Sequence, residues 1–291
     1  DETVKFLRFE YILPDDLVNS IDTLGENTVI AGNEVTYSAA DLKIVEKKLT
    51  TKFMPASRFS ILLLNPDVAP FKNKKCRQYF SQKFRTSYSE LANKSQAMEA
   101  SVFTKVLPGY LSVRDLEAGH ELSKKDVAQC REQLKKADIH WGYTPSEKRT
   151  LFVEALKNAT DKVGAKFTEP TVATDRKELA TLFTSGKISV LNGSSGFWAL
   201  DPAGDMKMLL TPNLHPILTF VSRDDLTQKL VTDLQSDKPD YKKINRHLFD
   251  QAEFNVYSHL RRFFASTGPN LLASLPIAIS SPAPWQVFEV R

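Results

Sequence analysis

The stretch from Asp138 to Leu191 reads DIHWGYTPSEKRTLFVEALKNATDKVGAKFTEPTVATDRKELATLFTSGKISVL. Asp138–Tyr143 has the composition of a short strand. Thr144-Pro145-Ser146-Glu147 is a capping box: the Thr144 hydroxyl can accept from the Glu147 amide, and the Glu147 carboxylate can reach back. Pro145 takes the first helical position, where a missing N–H costs nothing. Leu151, Phe152, Ala155, Leu156, Ala159 and Val163 then form one apolar stripe, and Gly164 can close the helix in the left-handed conformation. Ala165–Thr168 is the next strand. Asp175 with Glu178 opens a second helix, carrying Leu179, Leu182 and Phe183 and ended by Gly186. Ile188–Leu191 is a third strand. Strands alternating with helices in this way predict parallel pairing through right-handed crossovers, so the fold class is α/β.

In open α/β sheets, ligands sit beyond the carboxyl ends of the strands. The third strand runs into Asn192-Gly193-Ser194-Ser195-Gly196-Phe197-Trp198-Ala199-Leu200-Asp201-Pro202. Its small residues let backbone approach a ligand, Trp198 offers a flat surface and Asp201 a charge. The same loop could instead serve to plug the core with its aromatics, and spacing alone does not decide between the two.

Working towards the amino terminus, Phe59–Leu64, apolar but for Ser60, is a run of strand length stopped by Asn65-Pro66. Before it come a strand over Val4–Ile12, a helix from Pro14 towards Gly25, a brief strand at Thr28–Ile30 and a helix over Ala39–Leu49 capped by Ser38. After it, Pro70–Phe84 turns into a helix, Leu107-Pro108-Gly109-Tyr110 is a turn, and Ser123–Lys136 is a polar helix. Beyond Pro216 the pattern predicts a helix from Ser222 or Arg223 to Leu234. A long helix follows over Asp240–Phe264, on the stripe Ile244, Leu248, Ala252, Val256, Leu260 and Phe263. A strand at Leu275–Ile279 and a last extended segment complete the chain.

The 291 residues carry 39 basic and 35 acidic side chains, a net charge of +4. That excess is too thin for a nucleic-acid face, and the Lys72, Lys74, Lys75, Arg77 cluster is expected to be a solvated helix surface. No apolar run approaches the ~20 residues that span a bilayer, so direct membrane insertion is not expected. Cys76 and Cys130 lack metal or redox spacing and leave a disulfide and two free thiols equally open. The histidines at 120, 140, 215, 247 and 259 show no ligand spacing, so neither metal nor cofactor is expected. His247 and His259 are expected on the long helix, partly exposed. GxSxG, HExxH, P-loop and GxGxxG motifs are absent, and Gly193-Ser194-Ser195-Gly196 runs into Phe197, so no catalytic motif speaks for an enzyme and none is expected.

Four places resemble the family 5 extracytoplasmic solute-binding proteins. Asn65-Pro66-Asp67-Val68-Ala69-Pro70-Phe71 with Arg77 and Arg85 is similar to the family's Asn…Pro-Phe…Arg stretch, and Leu107-Pro108-Gly109-Tyr110 to its Pro-Gly turn. Gly196-Phe197-Trp198-Ala199-Leu200-Asp201-Pro202 resembles its Gly-Trp-x-x-Asp loop, and Leu275-Pro276-Ile277 its late Ile-Pro-Leu strand. The resemblance implies a periplasmic-binding-protein-like fold of the type II, cluster C kind, with a mixed sheet. On that reading residues 1–58 are the remnant of lobe one. Residues 59–280 are the second lobe, with hinge strands near 59–64 and 275–279, and 281–291 return to lobe one. Most of the first lobe is expected to lie outside this sequence, and the Asp1 start to reflect processing or excision.

For the site, the resemblance implies ligand binding by Ser195, Gly196, Phe197, Trp198, Ala199 and Asp201. The Asp201 carboxylate would pair with a peptide's α-amino group, and backbone from Ser195 to Ala199 would bond its main chain. Phe197 departs from the family glycine and would narrow the pocket. The implied role is capture of peptides or similar small solutes for the membrane subunits of an ABC importer, in the periplasm or another extracytoplasmic, membrane-associated setting. The alternative is a solute-binding sensor domain that regulates a fused or docked partner.

Overall fold

The computed structural model describes residues 14–26, 28–33, 39–54, 56, 58–92, 99–144, 150–196, 202–211 and 216–268. The chain forms two compact units, one of Asp1–Ser57 with Leu260–Arg291 and one of Arg58–His259. The sequence reading carried the second lobe on to residue 280. The chain rejoins the first unit earlier because residues 262–266 pair with strands of that unit. The expected strands at Val4–Ile12 and Leu275–Ile279, and the return segment 281–291, lie outside the described residues.

The first unit is built on α1 (Pro14–Ser20), β1 (Val29–Asn33), α2 (Ala39–Lys48) and β2 (Thr50–Phe53). The strand Arg262–Ser266 lies between β1 and β2, antiparallel to both, with Val29 opposite Ser266 and Phe53 opposite Phe263. Leu17 and Ile21 meet Leu42 and Val45 of α2, and Leu49 just after it, over Phe263 and Ala265. Each such aliphatic side chain contributes roughly 1.5–3 kcal/mol by leaving water.

The second unit is a helix–sheet–helix sandwich around β3 (Arg58–Leu64). Every residue of β3 after Arg58 is buried, and its alternation divides them. Phe59, Ile61 and Leu63 enter one core, while Leu62 and Leu64 enter the other. A strand covered on both faces needs no polar side, which is why this segment reads as an apolar run broken only by the buried Ser60. The sheet order is β7-β5-β8-β3-β9, with β5 Trp141–Tyr143, β7 Thr171–Val172, β8 Val190–Gly196 and β9 Phe254–Leu260. Strand β5 runs parallel to β7 and β8, whereas β3 is antiparallel to β8, so the sheet is mixed. A small parallel pair, β4 (Asp138–Ile139) with β6 (Lys166–Phe167), lies beside it.

One face packs on α3 (Lys74–Leu91), α5 (Lys124–Leu134) and α6 (Thr150–Val163). Asn73 caps α3, its side chain accepting from the Lys75 amide at 2.9 Å. Phe84 lies 5.3 Å from Phe152 and 5.1 Å from Tyr257, and Tyr88 lies 4.7 Å from Tyr257, so rings from three elements close this core. Cys76 and Cys130 form a disulfide joining α3 to α5. The predicted stripe of α6 is buried at Phe152, Ala155, Leu156, Ala159 and Val163, and Gly164 closes the helix at φ +75°. The capping-box residues 145–147 lie outside the described residues.

The other face packs on α7 (Arg176–Thr184), α8 (Pro202–Leu210), α10 (Asp225–Asp233) and α11 (Tyr241–Gln251); the short α9 (Thr219–Ser222) precedes α10. Asp175 caps α7 by accepting from the Glu178 amide at 2.8 Å. In the Pro108-Gly109 turn, Gly109 has φ +88°, and a Cβ there would stand 2.3 Å from that of Tyr241. Only glycine meets both conditions.

The long helix predicted over Asp240–Phe264 is not formed. Helix α11 stops at Gln251, Ala252 turns left-handed at φ 53°, and the chain continues as β9 and then β10 (Arg262–Ser266). The stripe that suggested a helix repeats every four residues from Ile244 to Leu260. Four is close to one helical turn and is also two strand repeats, so it fits both periods. The β-formers of Phe254–Leu260 and the neighbouring β3 decide the outcome.

Candidate functional site

Strand β8 carries the start of the candidate site. Val190 and Leu191 are buried, opposite Trp141 and Gly142 of the parallel strand β5. The segment from Asn192 was expected to be loop, but it stays in the sheet as far as Gly196. Leu63 through Arg58 pair in turn with Leu191 through Gly196. Position next to a buried apolar strand here overrides the turn-like composition of Asn-Gly-Ser-Ser-Gly. Ser195 therefore faces Phe59 and Gly196 faces Arg58 across the ladder. On the other side of β8, the β5 ladder reaches only Leu191 among the described residues. Asn192 is fixed by the Tyr257 hydroxyl, which donates to its Oδ1 at 2.8 Å.

Phe197, Trp198, Ala199 and Asp201 lie outside the described residues. The segment that contains them joins β8 to α8, whose Pro202, Met206, Leu209 and Leu210 are buried. Of the six residues implied as ligand-binding, the structure thus describes Ser195 and Gly196, both half-buried strand residues.

A buried charged network lies where α11 meets β9. Arg77 was expected on a solvated face, yet it is only 4% exposed. It donates to the carbonyls of Phe71 at 2.7 Å and Gln251 at 2.9 Å, and stands 3.3 Å from Glu253. The end of α11 and the residues just after it supply Gln251 and Glu253, which the local charge pattern cannot reveal. Burial pushes the Glu253 carboxyl up to about 7, against the pull of Arg77 and Arg223. Arg223 bonds Asp67 at 2.5 Å.

The two histidines expected to be partly exposed on one long helix have side chains only 7% exposed. His247, on α11, lies 2.8 Å from the Thr227 hydroxyl and 3.0 Å from Asp224. His259 is on β9 and not on a helix; its Nε2 lies 2.8 Å from the Ser101 carbonyl, and burial lowers its pKa. Among the described residues no group of three or more His, Cys, Asp or Glu side chains could hold a metal ion, and no helix is long and apolar enough to cross a membrane.

The mixed sheet, sandwiched between helices, has the periplasmic-binding-protein-like fold. No protein-family model matches the chain, and no curated protein sequence matches it. Solved structures do. AppA from Clostridium difficile aligns over 94% of this chain at 14% identity and a TM-score of 0.68. NikA from Brucella suis, in complex with Fe(III)-EDTA, aligns over 87% at 14% identity and 0.64. The ABC transporter substrate binding protein CtaP from Listeria monocytogenes aligns over 92% at 15% identity and 0.62. The chain spans little more than half the length of these proteins, covering 57%, 55% and 56% of them respectively.

Proposed function

We propose that this chain is the ligand-capturing part of a family 5 solute-binding protein, which takes up peptides or solutes of similar size and hands them to the membrane subunits of an ABC importer. The observation that carries this reading is the alignment of nearly the whole chain with proteins of that kind, CtaP among them. The division into two lobes given by the resemblance belongs to the same proposal, with 59–64 as a hinge strand, the second lobe ending near residue 259 and the chain returning to the first lobe from there. So do binding without catalysis and a periplasmic or other extracytoplasmic location. The Cys76–Cys130 disulfide supports that location independently, because such bonds persist in oxidising compartments.

In this proposal an extended peptide lies along the part of β8 beyond the β5 ladder and bonds its main chain there, as a strand added to a sheet edge does. The Asp201 carboxylate pairs with the peptide's α-amino group. Trp198 and Phe197 bound the pocket, and Ala199 contributes backbone. NikA, with its Fe(III)-EDTA, marks the other kind of ligand a protein of this fold can hold.

The test is native mass spectrometry of the protein mixed with a tryptic digest, or with the same digest acetylated at its amino termini. Retention of the free-amino peptides alone is expected. Asp201→Asn keeps a side-chain oxygen that can cap a helix but removes the charge. It should weaken retention by about 2–5 kcal/mol, at least thirtyfold. Equal retention of acetylated peptides, or an unaffected Asp201→Asn variant, would remove the assigned role.

A further inference from the structure

A cleft of about 630 Å³ opens in the second unit between α3, α4 (Val113–Glu117), the segment 118–122 that follows it, and the end of α11. That volume falls within the range of small-molecule sites. Its floor is one face of α3, carrying Gln78, Ser81 and Arg85. Arg85 is 5% exposed, with its guanidinium 5.0 Å from the Phe249 ring centre. Its carboxylate neighbour Glu117 stands 3.3 Å from Nη2, and 42% of that side chain is exposed to water.

The floor holds more hydrogen-bonding capacity than the protein uses. The Arg85 Nε, the Ser81 hydroxyl and the Gln78 Oε1 are all buried, and none has a partner among the described residues. The Gln78 amide nitrogen is engaged, donating to the Asp250 carbonyl at 2.8 Å and carboxylate at 3.0 Å, which fixes the direction of its oxygen. Burying such groups unpaired costs about 1–3 kcal/mol each. Desolvation also disfavours the charged form of Arg85, against the attraction of Glu117. Val113, Leu122 and Phe249 add apolar wall.

We propose that this cleft binds a small organic carboxylate with an apolar body and a hydrogen-bond donor. The carboxylate accepts from Arg85 Nε and the Ser81 hydroxyl, where Glu117 is its competitor. The ligand's donor meets Gln78 Oε1, and its apolar part lies against Phe249 and Leu122. The proposal is independent of the peptide reading above, and either can fail alone.

The probe is hippurate, which combines a carboxylate, an amide N–H and a ring; hippuramide is the uncharged control. Amide resonances of the 291-residue protein are followed by ¹⁵N-correlated spectra up to about 10 mM probe, suited to millimolar dissociation constants. Saturable shifts confined to residues 78–85, 113–122 and 249–255 are expected with hippurate, and at least tenfold weaker ones with hippuramide. Glu117→Gln alters a half-exposed side chain and should tighten hippurate about fivefold, whereas Ser81→Ala should weaken it about fivefold. Absence of saturable shifts in both the native protein and Glu117→Gln overturns the proposal. So does equal binding of hippuramide, or an unchanged affinity in both variants.

Discussion

Removing the Cys76–Cys130 bond should lower the stability of the second unit mainly by releasing its unfolded chain. The two cysteines are 54 residues apart in sequence. Closing a loop of that length takes about 4 kcal/mol of conformational freedom from the unfolded state. The unit, Arg58–His259, has about 200 residues and an unfolding entropy of about 0.4 kcal/mol per degree, so the melting temperature should fall by about 10 °C. Calorimetry of the native protein with and without reductant, beside the Cys76→Ala/Cys130→Ala variant, measures this. Both sulfurs are buried, so the variant also loses a little packing and should melt slightly below the reduced protein. Urea unfolding separates the causes: a freed chain exposes more surface on unfolding, so the dependence on urea should steepen on reduction. Melting within about 2 °C of the native protein after a thiol assay confirms full reduction would refute the loop argument. A fall in melting temperature at unchanged urea slope would instead assign the effect to native packing.

Two further outcomes rest on single residues. Glu253, moved from an ordinary 4.5 to about 7, holds its proton more tightly in the folded protein than in the unfolded chain. Its contribution is therefore fully present below about pH 4.5 and lost as pH rises through about 7, a fall of about 2 kcal/mol after discounting for its partial exposure. Glu253→Gln should flatten that part of the pH profile in urea unfolding at pH 5 and pH 8, and an unchanged slope would exclude Glu253 as its source. Gly109→Ala combines a positive φ with a Cβ 2.3 Å from that of Tyr241. It should destabilise the protein by about 3 kcal/mol or more, and a loss under about 1 kcal/mol would show that the turn can move away from Tyr241.

What the sequence disclosed was local. The stripe of α6, the Asp175 cap, the left-handed Gly164 and the largely apolar run of β3 each depend on neighbours within a turn or two of chain, and the structure repeats them. What it concealed depended on distant partners. Arg77 reads as one more cation in a basic run until the end of α11 supplies a carbonyl and Glu253. The cysteines could pair or remain free, because bringing them together depends on how α3 packs against α5. Strand β9 was lost to a spacing that two periods share. For the candidate site the sequence supplied residue types, among which Ser195 and Gly196 stand in β8 and not in a loop. That strand extension comes from β3, and no feature of Asn192–Gly196 itself announces it.

The register of β3 on β8 carries a mechanical consequence. Arg58, the first residue of the second unit, is paired with Gly196, the last residue of β8. Where the chain enters the unit and where β8 ends are thus opposite residues of one ladder. Should 59–64 serve as a hinge strand, as proposed, a change in backbone angle at its start would need no relay of side chains to reach the end of β8. It would act on Gly196 directly through the ladder, and packed sheets respond to such shifts by moving together and not by bending locally.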